Sequence, residues 1–216
     1  MTHPQQLGFG FDEMLEAERT AYLPSTMEEA IPFYRSLLEK HHAARIAGDT
    51  TTAMKVRDEC HDLAVKLNGG DTCGICAPDG PGKILERSTA APDGTVPLWG
   101  QKGNFMIDIN GMKVRIEQDG IFGIGTFMSP APGFSAHAVD YDKPFLSETG
   151  YRSFIGSRPD IVPGMTPDVV AAEMIQPYMK RECKGKSKRI GQTYVDWEME
   201  RRRETSGGGS PDFNGP

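Results

Sequence analysis

The stretch that most constrains the fold is residues 103–125, GNFMIDINGMKVRIEQDGIFGIG. Phe105, Ile107 and Ile109 alternate with Met106 and Asp108, and after Asn110-Gly111 the alternation resumes as Met112, Val114 and Ile116 against Lys113, Arg115 and Glu117. A period of two places one set of side chains on each face of a strand. Asn-Gly suits the tight type I′ turn, whose two central residues both take positive φ. The two runs therefore fold back as a hairpin with Phe105, Ile107, Ile109, Val114 and Ile116 buried on one face. Phe105, Ile107, Val114 and Ile116 each contribute ~1.5–3 kcal/mol before entropy is counted. Asp108, Lys113, Arg115 and Glu117 occupy the wetter face. Asp119-Gly120 repeats the turn signal, and Ile121, Phe122 and Ile124 predict a third strand, with Gly120, Gly123 and Gly125 marking a bent or bulged one. A three-stranded meander still needs a cover over its apolar face.

Helices on either side supply candidates for that cover. Residues 1–11 read as a flexible arm, followed by a short helix over 13–22 capped by Asp12, with Met14, Leu15, Ala21 and Tyr22 as burial candidates and Pro24 as its stop. Ser25 or Thr26, three residues before Glu28 and Glu29, offers a capping box for a helix to about Ala47. That helix carries Ala30, Tyr34, Leu37, Leu38, His41 and Arg45 on one side and a kink at Pro32. Past Gly48-Asp49, Thr50 or Thr51 caps a second helix to about Asn68, with Val56, Cys60, Leu63, Ala64 and Leu67 as its stripe and Gly69 as a left-handed stop. The pair forms an αα-hairpin. Residues 69–104 are loop with a short strand at KILERST and an anchoring Trp99. Residues 129–156 are dense in Phe134, Val139, Tyr141, Phe145, Leu146, Tyr151, Phe154 and Ile155, and predict strands near 136–141 and 150–155. Thr166-Pro167-Asp168 starts a helix to about Cys183, bearing Val170, Met174 and Tyr178 and a kink at Pro177, and a last short helix lies near 193–204.

The expected class is α+β: an N-terminal αα-hairpin, a small antiparallel β-meander and C-terminal helices. The expected organisation is an arm with a short helix over 1–24, a single α+β domain over 25–183, a basic helical extension over 184–205 and a disordered tail over 206–216. An apolar share of 38% and a charged share of 25% suit a globular core. The absence of an 18-residue apolar run argues against a membrane span, and the N-terminus lacks the pattern of a signal peptide. Four cysteines, Cys60, Cys73, Cys76 and Cys183, are too few to staple a chain of 216 residues. Reduced thiols in the cytoplasm are the expectation.

Three constellations carry chemistry. Cys73 and Cys76 form a C-x-x-C that can hold one zinc ion if Cys60-His61 or His41-His42 completes the set; the alternative is two thiols in a loop. A redox pair would need a βαβ context that Gly, Asp and Pro around it do not offer. His137, Asp140, Asp142, Glu148, Tyr151 and Arg152 form the second. Acids two apart on a strand point the same way, so Asp140 and Asp142 with Glu148 can hold a divalent cation, and His137 can act as base in a metal-dependent hydrolase or nuclease. The alternative is solvated turn acids before Pro144. The carboxylate-and-lysine pattern of restriction-type nucleases is not met: Asp108 and Glu117 are present, but Asp119 stands where the lysine belongs.

The third is basic. Between Lys180 and Arg203 lie nine cations (Lys180, Arg181, Lys184, Lys186, Lys188, Arg189, Arg201, Arg202, Arg203) and four acids (Glu182, Asp196, Glu198, Glu200), a local balance of +5 in a chain of net charge −6, which leaves −11 elsewhere. Such asymmetry is the footprint of nucleic-acid contact. Lysine and arginine release counterions from phosphates, and Tyr194 or Trp197 can stack on an unpaired base. The alternative is a solvated basic helix end with Trp197 packed on the core, or an arm docked on protein.

The segments VPLWGQ, NGMKVRIEQDGIFGIG, FSAHAVDYDKPFLSETGYRSFIG and VPGMTPD resemble, across about residues 50–185, a group of small uncharacterised bacterial proteins carried on plasmids and integrative elements. The resemblance implies a bacterial, cytoplasmic accessory role near DNA or its handling machinery. It carries no activity and no site residue. The sequence therefore predicts a non-enzymatic protein that binds nucleic acid or a nucleoprotein partner through the basic C-terminal stretch, with no cofactor. A protein-interaction module docking through the αα-hairpin and a metal-dependent hydrolase or nuclease are the alternatives.

Overall fold

The computed structural model describes residues 19–123, 133–155, 161–184 and 186–206, with side chains described as far as Arg203. The expectations for residues 1–18, for Ile124 and Gly125, and for the tail beyond 206 lie outside the described residues. The fold is α+β, with helices and a four-stranded antiparallel sheet. The chain divides into two compact units, Met1–Ala90 and Ala91–Pro216. This boundary falls inside the stretch 25–183 expected as one domain, because each side of it assembles a core of its own.

In the first unit, α1 (Met27–Ala47), α2 (Thr50–Leu67) and α3 (Pro81–Ser88) pack together. Thr26 caps α1 by accepting the Glu29 N–H at 3.4 Å, and its hydroxyl donates to Glu29 Oε2 at 3.1 Å. The helix continues through Pro32 and stops at Gly48, φ 75°. Ala30, Tyr34, Leu37, Leu38 and His41 are buried as expected; Ala44 is buried as well, while Arg45 is half-buried. Asp49, not Thr50 or Thr51, caps α2: its carboxylate accepts the Thr52 N–H at 2.9 Å and the Thr52 hydroxyl at 2.6 Å. A charged acceptor one residue earlier wins over a hydroxyl. Val56, Cys60, Leu63 and Ala64 are buried, and Leu67 is half-buried. Ala21 and Tyr22 are exposed, contrary to expectation; the Tyr22 hydroxyl reaches Glu59 at 3.0 Å, and Leu23 is the buried residue of that turn.

The strand expected at KILERST is instead α3. Pro81 fixes a helical φ at its first position, Lys83 and Glu86 pair at 2.8 Å across one turn, and Leu85 and Glu86 face the core. Gly80 precedes it by necessity: a Cβ there would lie 2.1 Å from the Gly74 carbonyl oxygen.

The second unit is built on β1 (Gly103–Ile109), β2 (Met112–Gln118), β3 (Phe134–Ala138) and β4 (Tyr151–Ser153), in the order β1-β2-β3-β4. Asn110 at φ 53° and Gly111 at φ 85° make the tight turn. The register pairs Phe105 with Ile116, Ile107 with Val114 and Asp108 with Lys113. Phe105, Ile109, Val114 and Ile116 are buried, and Ile107 packs half-buried against the same cluster. The expected third strand at 121–124 is not one over its described part. Residues 121–123 continue a turn in which the Ile121 N–H donates to Gly100 O and the Gly123 N–H to Gly120 O. A Cβ at Gly123 would lie 2.4 Å from Asp119 Cβ, so this glycine serves a tight turn and not a bulged strand.

β3 supplies the third strand, and β4 matches the strand expected near 150–155. Phe134, Phe145, Leu146 and Phe154 join the core, whereas Val139 and Tyr141 are half-buried and Tyr151 and Ile155 exposed. α4 (Pro167–Arg181) adds Ala171 and Ile175 to that core, with Met174 and Tyr178 packed beside them. Thr166 is its N-cap residue, but its hydroxyl donates to Asp168 Oδ1 at 2.6 Å instead of capping the helix. Trp99, 2% exposed, donates its indole N–H to Met165 O at 2.9 Å. Buried Gln118 donates to Leu98 O and Gln101 O, both at 2.9 Å, which fixes the same loop from the sheet side. α5 (Gln192–Ser206) is the last helix among the described residues. Among the described residues no helix is long and apolar enough to cross a membrane.

Candidate functional site

The basic stretch is part of the second unit and not an extension from it. Lys188 and Phe145 exchange backbone hydrogen bonds at 2.7 Å each, and Ile190 is buried in the sheet's core cluster. The Gly191 N–H donates to Glu148 O at 2.8 Å. These contacts hold the chain between α4 and α5 against the 145–148 turn. Its cations remain outward: Lys180, Arg181, Lys184, Lys186, Lys188 and Arg189 are all exposed, as is Arg203.

Arg201 and Arg202 are engaged differently. Glu198 is 4% exposed and accepts Arg201 Nε at 2.9 Å and Nη2 at 2.8 Å, and Arg202 Nε at 2.8 Å. Arg202 Nη2 also reaches Val139 O at 3.0 Å, which ties α5 to the end of β3. Burial pushes the Glu198 carboxyl up, but the two guanidiniums outweigh it and hold it below its usual value. Trp197 is half-buried with the Arg201 guanidinium 5.8 Å from its ring centroid, and Tyr194 packs half-buried on the core. Neither ring stands free over the basic segment.

The clasp makes a pH prediction. A folded-state carboxyl held below its unfolded value stabilises above the unfolded pKa of about 4.3 and loses that contribution as pH falls through the folded one. Breaking a buried pair from one side costs about 3–5 kcal/mol; the exposed Arg202 reduces this to about 1–2 kcal/mol. Urea unfolding of Glu198→Gln beside wild type is expected to show that gap at pH 7 and a closing gap in acid. An unchanged gap in acid would remove the carboxylate from the account.

The second constellation is only partly assembled. β3 ends at Ala138, so Asp140 and Asp142 sit in a turn and the two-residue strand argument fails for them. Asp140 pairs with Lys143 at 2.7 Å, which lowers its pKa, and Asp142 and Glu148 are exposed. His137 lies on β3, facing away from the core, where its Nε2 is 3.0 Å from Ser135 Oγ and 3.5 Å from Glu117 Oε2. The hydrogen bond from His137 is the main cause holding the Glu117 carboxyl below its usual value. Serine, histidine and glutamate together suggest a hydrolytic triad, but a relay needs serine and acid on opposite ring nitrogens. Here both meet Nε2.

Cys73 is exposed, Cys76 is half-buried with its thiol pushed up by burial, and Cys60 is fully buried with its thiol pushed well up. His41 is buried in α1. Among the described residues no three His, Cys, Asp or Glu side chains are placed to share a metal ion.

Two contacts escaped the sequence reading. Arg152 stacks 4.6 Å over the Tyr178 ring, and Tyr151 packs edge-on to His137 at 5.1 Å. Both pairs join segments distant in the chain: the first depends on how α4 packs on the sheet and the second on the β3–β4 register.

Residues 102–190 match the family model described as KlcB third domain. The match begins at the entry to β1, ends at buried Ile190 and contains the whole sheet, α4 and the Lys188 bridge. Two Escherichia coli proteins named Protein KlcB are similar: one is 36% identical over 138 residues, 63% of this chain and 33% of that protein. The other is 40% identical over 116 residues, 53% of this chain and 24% of that protein. The chain thus spans between a quarter and a third of the length of these curated relatives. No solved structure matches it.

Proposed function

We propose that this chain is a non-enzymatic bacterial accessory protein of KlcB type that binds nucleic acid through the segment from Lys180 to Arg203. The observation that carries the reading is the run of exposed cations from Lys180 to Arg189, fastened at Lys188 and Ile190 so that the charges stay at the surface. In a chain of net charge −6 such a local patch suits an anionic partner, and phosphates are the partner for which closely spaced lysines and arginines gain most by counterion release. Arg201 and Arg202 serve as anchors through Glu198, so the phosphate contacts belong to Lys180, Arg181, Lys184, Lys186, Lys188, Arg189 and Arg203. The cytoplasm and a plasmid or other mobile element are the setting that suits such a protein.

The test is fluorescence anisotropy with labelled DNA at about 50 and 200 mM salt. The full chain is compared with a variant in which Lys180, Arg181, Lys184, Lys186, Lys188 and Arg189 are all glutamine. Truncation would be the wrong control, because it removes Ile190 from the core. If six cations reach phosphates, log affinity falls against log salt with a slope of roughly −4 to −5, and the glutamine variant loses that binding. Equal binding by both chains, or none by either at low salt, would overturn the reading and turn the segment toward a protein partner.

A further inference from the structure

The sheet presents a second surface, away from the core cluster. The register lines up Met106, Arg115, His137 and Tyr151 as one row across all four strands. Met106 and Tyr151 are each 45% exposed. His137 and Tyr151 are a non-hydrogen-bonded pair, since the flanking bonds are Ala138 N–H to Gly150 O and Phe154 N–H to Phe134 O. Side chains of such pairs approach closely, and the two rings meet at 5.1 Å and 65°.

Tyr151 is fixed from behind. Its carbonyl accepts Ser147 Oγ at 2.6 Å and Thr149 Oγ1 at 3.1 Å, and its N–H donates back to Ser147 Oγ at 3.1 Å. These hydroxyls satisfy the edge that a further strand would otherwise pair with. They leave the phenol ring as the group on offer. The acids of this face are engaged locally: Asp108 accepts the Gly111 N–H at 2.6 Å, and Glu117 is held by His137 with Arg115 and Lys102 nearby. Lys113 and Arg115 complete the face.

The next residue turns the path over the edge. Arg152, opposite Ala136, points to the other face, where it lies over Tyr178, three residues before Arg181 and on the same side of α4. Arg181 and Arg152 therefore lie on one side of the β4 edge, and the Tyr151 and His137 rings with Arg115 lie on the other. Phosphate-binding cations leading to an exposed ring suit a strand whose bases are free to stack; a duplex hides its base faces.

We propose that the ligand is a single strand of nucleic acid that crosses the β4 edge, with its phosphates on Arg181 and Arg152 and a base stacked on Tyr151 beside His137. This rests on the nucleic-acid reading above and names its substrate class. DNA and RNA share the chemistry, so both are used as probes.

The experiment measures anisotropy of equal-length single-stranded DNA, single-stranded RNA and duplex DNA against wild type, Tyr151→Ala, Tyr151→Phe and Arg152→Gln, each first checked for an unchanged melting transition. Wild type is expected to prefer a single strand, whichever sugar it favours. Tyr151→Ala should weaken single-strand binding by roughly 5- to 150-fold, the equivalent of stacking one base at ~1–3 kcal/mol, with the salt slope unchanged. Tyr151→Phe should retain binding, and Arg152→Gln should reduce the slope by roughly one. Duplex bound as tightly as single strand, or Tyr151→Ala binding like wild type, would overturn this inference and leave the basic segment standing. Absence of binding to every probe would overturn both.

Discussion

Ile116→Asp is expected to abolish cooperative unfolding of the second unit. Ile116 is fully buried, opposite Phe105 on one strand and Ala136 on the other, in the cluster that Ala171 and Ile175 of α4 complete. Removing its side chain alone costs about 2–5 kcal/mol, and placing a carboxylate among apolar groups costs several more because the charge has no partner there. A domain holds only about 5–15 kcal/mol in all. Both tryptophans of the chain, Trp99 and Trp197, belong to this unit, so urea titration followed by indole emission reads it selectively. The same change at Lys113, on the other face of the strand, is expected to cost under about 1 kcal/mol. A soluble Ile116→Asp protein with a wild-type transition would show that the hairpin buries its other face.

Trp99→Ala is the second large effect. The ring is buried, and its N–H is the donor to Met165 O at 2.9 Å. Loss of a buried tryptophan costs about 3–5 kcal/mol, and the Met165 carbonyl loses its partner as well. Trp99→Phe restores part of the volume but not the donor, so about 1–3 kcal/mol should remain. Circular dichroism in urea measures both. A cost below about 1 kcal/mol for the alanine variant would mean that the loop is held by Gln118 alone.

The hairpin was legible because two signals agreed: the period of two fixed the faces, and Asn110-Gly111 fixed the reversal. Past Gln118 the same signals misled. Ile121 and Phe122 are apolar like a strand, but Asp119 to Gly123 closes a turn, and the third strand comes from FSAHA, whose alanines give little hydrophobic contrast. KILERST looked like a strand by composition, yet Pro81 ahead of it and the Lys83–Glu86 spacing belong to a helix. Of the candidate site, the exposed cations were legible, because charge density needs no geometry. The pairing of Arg201 and Arg202 with Glu198 has the three- and four-residue spacing of helix ion pairs, but the burial of that glutamate has no sequence mark. Nor was the Tyr151–His137–Arg115 row legible, since it depends on the registers of two strand pairs.

The Phe145–Lys188 bridge has a thermodynamic consequence. A free basic tail that gripped phosphates would have to surrender backbone freedom worth about 1–2 kcal/mol for every residue it ordered. Around Lys188 and Ile190 that freedom has already been given up in folding, where the bridge and the core offset it. Association would then carry little coupled folding, so its heat-capacity change should track the contact area alone, and the ion atmosphere would be left to set most of the affinity.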